Sequence, residues 1–118
     1  MEFLVRDLQL SLRLYSAIGF TLERRDDRFA ALRWDDRRLF LDERPDLPPH
    51  QGPSRTNIRI MVPDVDAMWS RVQSLGLRID QAIGNRYYGL RDFTVVDPDG
   101  FGLRFASSLP RSDSLAAS

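Results

Sequence analysis

Apolar and polar positions along this chain change period twice, in the same order each time. In residues 57–62, Ile58, Ile60 and Val62 alternate with Asn57, Arg59 and Met61, which predicts a strand with one buried face. Pro63 ends that run, and Asp64 is suited to cap a helix. The period then lengthens. Val65, Met68, Trp69, Val72 and Leu75 fall at i, i+3, i+4, i+7 and i+10 on one helical face, with Gly76 as the predicted stop. Strand-like runs follow at 77–83, 92–96 and 101–106. Before the last comes Asp97-Pro98-Asp99-Gly100, a turn signal in which Pro presets φ and Gly accepts φ > 0.

The first half of the chain follows the same plan. Phe3-Leu4-Val5 is a short apolar run, Asp7 a helix cap, residues 8–17 a helix and Gly19 its stop. Strand-like runs at 20–25, 29–34 and 38–43 are separated by Asp26-Asp27-Arg28 and Asp35-Asp36-Arg37. The two halves are in register 57 positions apart. Val5-Arg6-Asp7-Leu8 returns as Val62-Pro63-Asp64-Val65, and Ile18-Gly19-Phe20 as Leu75-Gly76-Leu77. A unit of that length is long for a solenoid repeat and short for an independent domain. The expectation is one α+β domain over residues 1–106, built from two tandem βαβββ modules at 1–44 and 56–106. The linker at 45–55 holds Pro45, Pro48, Pro49, Gly52 and Pro53 and is excluded from strand or helix interiors. Residues 107–118, small and polar, read as a flexible tail.

Composition narrows the function. The chain has 118 residues, 42% hydrophobic and 29% charged, enough for an ordinary globular core. Its formal net charge is zero, which gives no basic excess for a nucleic-acid or membrane partner. All 17 basic side chains are Arg, so an anion would meet guanidinium forks rather than ammonium groups. The absence of Cys excludes disulfides, thiol catalysis and thiolate metal sites. With no long apolar run or leader pattern, a cytoplasmic location is expected.

The paired βαβββ plan, the Asp-capped helix, the Gly-plus-aromatic exit and the Asp-Pro-Asp-Gly turn before the last strand together resemble the vicinal oxygen chelate superfamily. That superfamily includes glyoxalase I, extradiol dioxygenases and bleomycin-resistance proteins. Three segments are most similar to the bleomycin-resistance branch: Asp26-Asp27-Arg28-Phe29-Ala30-Ala31-Leu32, Arg38-Leu39-Phe40-Leu41, and the stretch from Tyr88-Gly89-Leu90 to Asp97-Pro98-Asp99-Gly100. The resemblance implies sheets curved around a cleft, with helices outside, and a homodimer.

The metal enzymes of the superfamily place His and Glu ligands on the first and last strands of each module. Here those positions fall on Asn57 and on Arg104, four residues after Gly100. The counterpart of Arg104 in the first module is expected at Asp42, with Glu43 the neighbouring alternative; the counterpart of Asn57 falls before Met1. One carboxylate and one amide are too few donors for a divalent cation, and a guanidinium repels one. The only His, His50, lies in the linker. No metal and no cofactor are therefore expected.

Strand alternation places Asn57, Arg59, Met61, Glu2, Leu4, Phe40, Asp42, Gly102 and Arg104 on the cleft side. Tyr88 stands where the bleomycin-resistance branch carries a groove-lining aromatic residue and could stack on a planar ligand; with Tyr87 it could equally complete the core and a sheet edge. Trp69 reads as core, and Trp34 as core or dimer contact. The expected ligand-binding set is Phe40, Asp42, Asn57, Arg59, Met61, Tyr88 and Arg104. The resemblance, together with the lack of any nucleophile–base constellation, implies a metal-free binding protein that sequesters a drug or metabolite. Its two cleft arginines suit an anionic or amphoteric molecule better than a cationic one. The alternative is a glyoxalase- or dioxygenase-like lyase or isomerase whose atypical metal site would draw on Asp42, Glu2 or Glu43, and His50.

Overall fold

A computed structural model describes residues 1–52, 54 and 56–110. The element order is β1 (Glu2–Val5), α1 (Leu8–Ile18), β2 (Thr21–Arg25), β3 (Phe29–Trp34), β4 (Arg37–Glu43), β5 (Asn57–Met61), α2 (Val65–Gln73), β6 (Arg78–Asn85), β7 (Leu90–Val96) and β8 (Gly102–Ser108). This is the α+β plan of two tandem βαβββ modules that the sequence predicts. Two compact units divide the chain, residues 1–51 and 52–118. Each carries one four-stranded mixed sheet, ordered β1-β4-β3-β2 in the first and β5-β8-β7-β6 in the second.

In the first unit, β1 runs parallel to β4 (Glu2 opposite Phe40, Leu4 opposite Asp42), while β3 is antiparallel to both β4 and β2. Helix α1 turns Leu8, Leu12, Tyr15 and Ile18 inward. They belong to a core with Phe3, Val5, Ala30, Leu32, Leu39 and Leu41, which is the alternate face of each strand. Asp7 caps the helix, its side chain accepting from the Leu10 N–H at 3.1 Å, and Gly19 closes it at φ 134°.

The second unit repeats the arrangement. β5 runs parallel to β8, with Arg59 opposite Arg104, and β7 lies antiparallel between β8 and β6. Asp64 caps α2 as Asp7 caps α1, accepting from the Ala67 N–H at 3.1 Å. Val65, Met68 and Val72 are buried with Ile60, Val62, Phe93, Val95, Leu103 and Phe105. Trp69 is half-buried edge-on to Phe93, with centroids 4.9 Å apart, and Trp34 meets Phe20 at 5.0 Å.

A second cap ties each helix to the far end of its own module. The Leu8 N–H donates to Glu43 Oε2 at 2.9 Å, and the Val65 N–H donates to Ser107 Oγ at 3.0 Å. Glu43 therefore lies on the helix side of β4, which settles the choice between Asp42 and Glu43 for the opposite face.

Several boundaries differ from the sequence expectation. Helix α2 ends at Gln73, before Gly76, where the Ser74 hydroxyl donates to the Arg71 carbonyl at 2.7 Å and competes with the helical ladder. Strand β6 continues through Gly84 to Asn85 with bulged pairing and β7 begins at Leu90, so the connection is residues 86–89 rather than the gap between the expected strands at 77–83 and 92–96. Strand β8 continues to Ser108 because Ser107 and Ser108 pair with Arg91 and Leu90; the segment expected to be a tail thus begins inside a strand, and 111–118 lie outside the described residues.

Candidate functional site

The polar side chains with the most developed geometry lie on the second unit's sheet, on the face away from α2. Their centre is Asp92, a carboxylate with no solvent exposure at the start of the buried stretch 92–96 of strand β7. A buried carboxylate requires partners, and the β6–β7 connection supplies two. Arg86 Nε donates to Asp92 Oδ1 at 2.7 Å, and the Tyr88 hydroxyl donates to Asp92 Oδ2 in a short hydrogen bond. Arg86 Nη2 also donates to the carbonyls of Ala82 (2.6 Å) and Asp92 (3.1 Å). Gly84 makes room for it: a Cβ there would stand 3.2 Å from Arg86 Nη1.

This inner network fixes Tyr88. Burial, followed by the hydrogen bond and negative charge of Asp92, raises its phenol above the ordinary value, with Arg104 and Arg86 opposing. Tyr88 is thus a neutral phenol whose proton points at Asp92. The Arg59 guanidinium lies 5.7 Å from the Tyr88 ring centroid, within cation–π range, and Tyr87 meets the same ring edge-on at 5.1 Å. Arg59 thus lies over one side of the Tyr88 ring, which stays partly exposed.

Arg104 is oriented from below, its Nε donating to Thr94 Oγ1 at 3.1 Å. It stands opposite Arg59 in the parallel β5–β8 ladder. Among the described residues, no carboxylate pairs with Arg59 or Arg104. Met61 lies exposed further along β5. Asn57 sits where Gly102 lets the strands close in: a Cβ on Gly102 would fall 2.6 Å from Asn57 Cβ.

In the first unit, Phe40 and Asp42 share the face turned away from α1. Phe40 stacks on Phe29 with centroids 5.7 Å apart, and Asp42 lies 3.4 Å from Arg44 Nη2. Leu4 is exposed beside Asp42 in the ladder.

The repeat equivalence changes one expectation. The second caps make Glu43 and Ser107 equivalent, so counting back three (43 − 3 and 107 − 3) pairs Phe40, not Asp42, with Arg104. The ladders agree, since Glu2–Phe40 matches Arg59–Arg104 across a 57-residue step in the first strand (59 − 2). The Asp42 assignment counted from Gly100, but the first module turns through only Asp35-Asp36, with Asp35 at φ 52° and no Gly.

These positions do not fit a metal ion. Arg104 and Phe40 occupy the last-strand positions, Glu43 is committed to α1, and Asp42 has its own arginine. Among the described residues, no group of three or more His, Cys, Asp or Glu could hold one. His50 is exposed in the linker. Arg59, Tyr88 and Arg104, expected from the sequence, lie together on this face, whereas their supports Arg86, Asp92 and Thr94 were not expected. An acidic residue directly before the run Phe93-Thr94-Val95-Val96 was the available signal.

Comparison with known proteins agrees with this architecture. The profile of the glyoxalase/bleomycin resistance protein/dioxygenase superfamily matches residues 1–105, and the chain belongs to that superfamily. Three solved structures share its fold. A glyoxalase/dioxygenase from Nostoc punctiforme is 17% identical with a TM-score of 0.80, covering 93% of this chain and 89% of its own. The bleomycin resistance determinant encoded on transposon Tn5 is 24% identical with a TM-score of 0.73, covering 91% and 93%. A bleomycin-binding protein complexed with bleomycin is 24% identical with a TM-score of 0.71, covering 91% and 94%. No match was found among curated proteins. No helix among the described residues is long and apolar enough to cross a membrane.

Proposed function

We propose that this protein is a metal-free small-molecule binder that acts by sequestering a drug or metabolite, as a homodimer in the cytoplasm. The observation that carries the reading is the second unit's face. The fully buried Asp92 anchors Arg86 and the Tyr88 ring, Arg59 lies over that ring and Thr94 orients Arg104, while among the described residues no metal donor set accompanies them. Such rigid support for exposed groups suits recognition, because it lowers the ordering cost of binding. Phe40, Asp42, Asn57 and Met61 are the further ligand-facing residues. The bleomycin-bound structural neighbour gives the first compound to try.

The test is equilibrium dialysis against bleomycin and a panel of planar aromatic compounds of each charge. It is paired with elemental analysis after soaking in Zn²⁺, Ni²⁺, Mn²⁺ and Fe²⁺, and with sedimentation equilibrium. Saturable binding of at least one compound without metal, by a species of twice the chain mass, is expected. About one tightly held metal per chain, or no binding across the panel, would overturn it.

A further inference from the structure

The described residues on the second unit's ligand face carry unbalanced charge. In the three strands that carry and support the two arginines, β5, β7 and β8, Asp92 is the carboxylate, and it is consumed: Arg86 neutralises it, and the Tyr88 proton occupies its second oxygen. Arg59 and Arg104 remain, side by side in a parallel ladder and without a carboxylate partner among the described residues. Like charges at directly opposite sheet positions repel, so the arrangement is poorly suited to stability alone. Both are nonetheless held in defined positions. Arg104 is anchored through Nε, leaving its terminal Nη groups available, and Arg59 is laid over the Tyr88 ring. Guanidinium forks fixed in this way are geometrically matched to planar oxyanions, which they bind bidentately.

We infer, resting on the binding function proposed above, that this face is an oxyanion receptor: Arg59 and Arg104 jointly take the carboxylate or phosphate of an aromatic ligand. Tyr88 adds a second requirement. Its proton is committed to Asp92, so its oxygen offers only lone pairs outward, and a ligand hydroxyl or amine beside the anion gains an acceptor there. The favoured class is an aromatic acid or aryl phosphate with a neighbouring donor. Arg86 acts at one remove as a positioning residue, by cancelling the Asp92 charge that would otherwise oppose the anion.

The experiment uses isosteric probes on the full chain: benzoate, phenyl phosphate and salicylate against neutral benzamide and cationic benzamidine. Binding is followed by ¹H–¹⁵N spectra that include the arginine Nε–Hε signals. Benzoate and phenyl phosphate should bind at least tenfold more tightly than benzamide or benzamidine, shifting the Arg59 and Arg104 signals. Raising the salt should weaken them, and the preference between the two anions identifies the oxyanion. Arg104→Gln and the exposed Arg59→Gln should each erase the preference of benzoate over benzamide, with far-UV circular dichroism confirming the fold. Equal binding of benzamidine and benzoate, or an anion preference that survives the double substitution, overturns the receptor while leaving the binding function standing. Failure of every probe, including bleomycin, overturns both.

Discussion

Replacing Asp92 tests whether the buried network is what holds the ligand face together. In Asp92→Ala, Arg86 loses its carboxylate and Tyr88 its acceptor. Removing one member of a buried ion pair costs about 3–5 kcal/mol. The low end applies here, because the Arg86 side chain is 21% exposed and keeps the carbonyls of Ala82 and Asp92 as acceptors. About 3 kcal/mol is expected, which for a domain of this size lowers Tm by roughly 12 °C. Asp92→Asn preserves the volume and one acceptor, so about 1–2 kcal/mol is expected. Urea unfolding followed by the fluorescence of Trp69, which packs on neighbouring Phe93, measures both. A second readout is independent of stability. Burial first, then Asp92, raises the Tyr88 phenol, so its protonated form is favoured in the folded state. That contribution is complete below about pH 10, the ordinary tyrosine value, and is lost as pH rises through the higher folded value. In Asp92→Asn, the phenolate absorbance of Tyr88 should develop at lower pH than in the parent, because the hydrogen bond and charge of Asp92 are gone. A parent-like Asp92→Ala, or a Tyr88 titration unmoved by Asp92→Asn, would refute the claim that Asp92 organises this face.

Two further substitutions probe the packing. Gly102→Ala should destabilise by about 1–3 kcal/mol, since the new methyl lands 2.6 Å from Asn57 Cβ and the parallel strands must part; an unchanged Tm would show that β5 and β8 are looser than described. Ser11→Ala on the buried face of α1 should raise stability by about 1 kcal/mol, because among the described residues the Ser11 hydroxyl is the buried side-chain polar atom left without a partner; a lower urea midpoint would reveal a hydrogen bond at that hydroxyl.

The fold was legible because its signals are local and appear twice. Asp7 and Asp64 occupy the same N-cap geometry, at φ −136° in both, and each is followed by an apolar helical face. The strand alternation of β5 correctly separated Ile60 and Val62 from Arg59 and Met61. What stayed hidden depends on pairing across long stretches of chain. Glu43 reads as a possible metal ligand until Leu8, 35 positions away, claims it. Asp92 reads as the polar start of a strand until the β6–β7 connection folds Arg86 and Tyr88 back onto it. The length of a hairpin also carries no periodic signal, so the two-residue turn at Asp35-Asp36 displaced the expected counterpart of Arg104 from Phe40 to Asp42.

The way each module joins its first strand to its last has a consequence for how the chain comes off the ribosome. Glu2 pairs with Phe40, 38 positions later, and Asn57 with Gly102, 45 positions later (40 − 2 and 102 − 57). The second caps on α1 and α2 also wait for Glu43 and Ser107. Neither the second cap nor the pairing of the first strand is made until its module has been synthesised to the end, so partial modules have little to gain from ordering early. Each module should accordingly commit in a single late step, and amides of β1 and α1 should gain hydrogen-exchange protection together rather than in chain order.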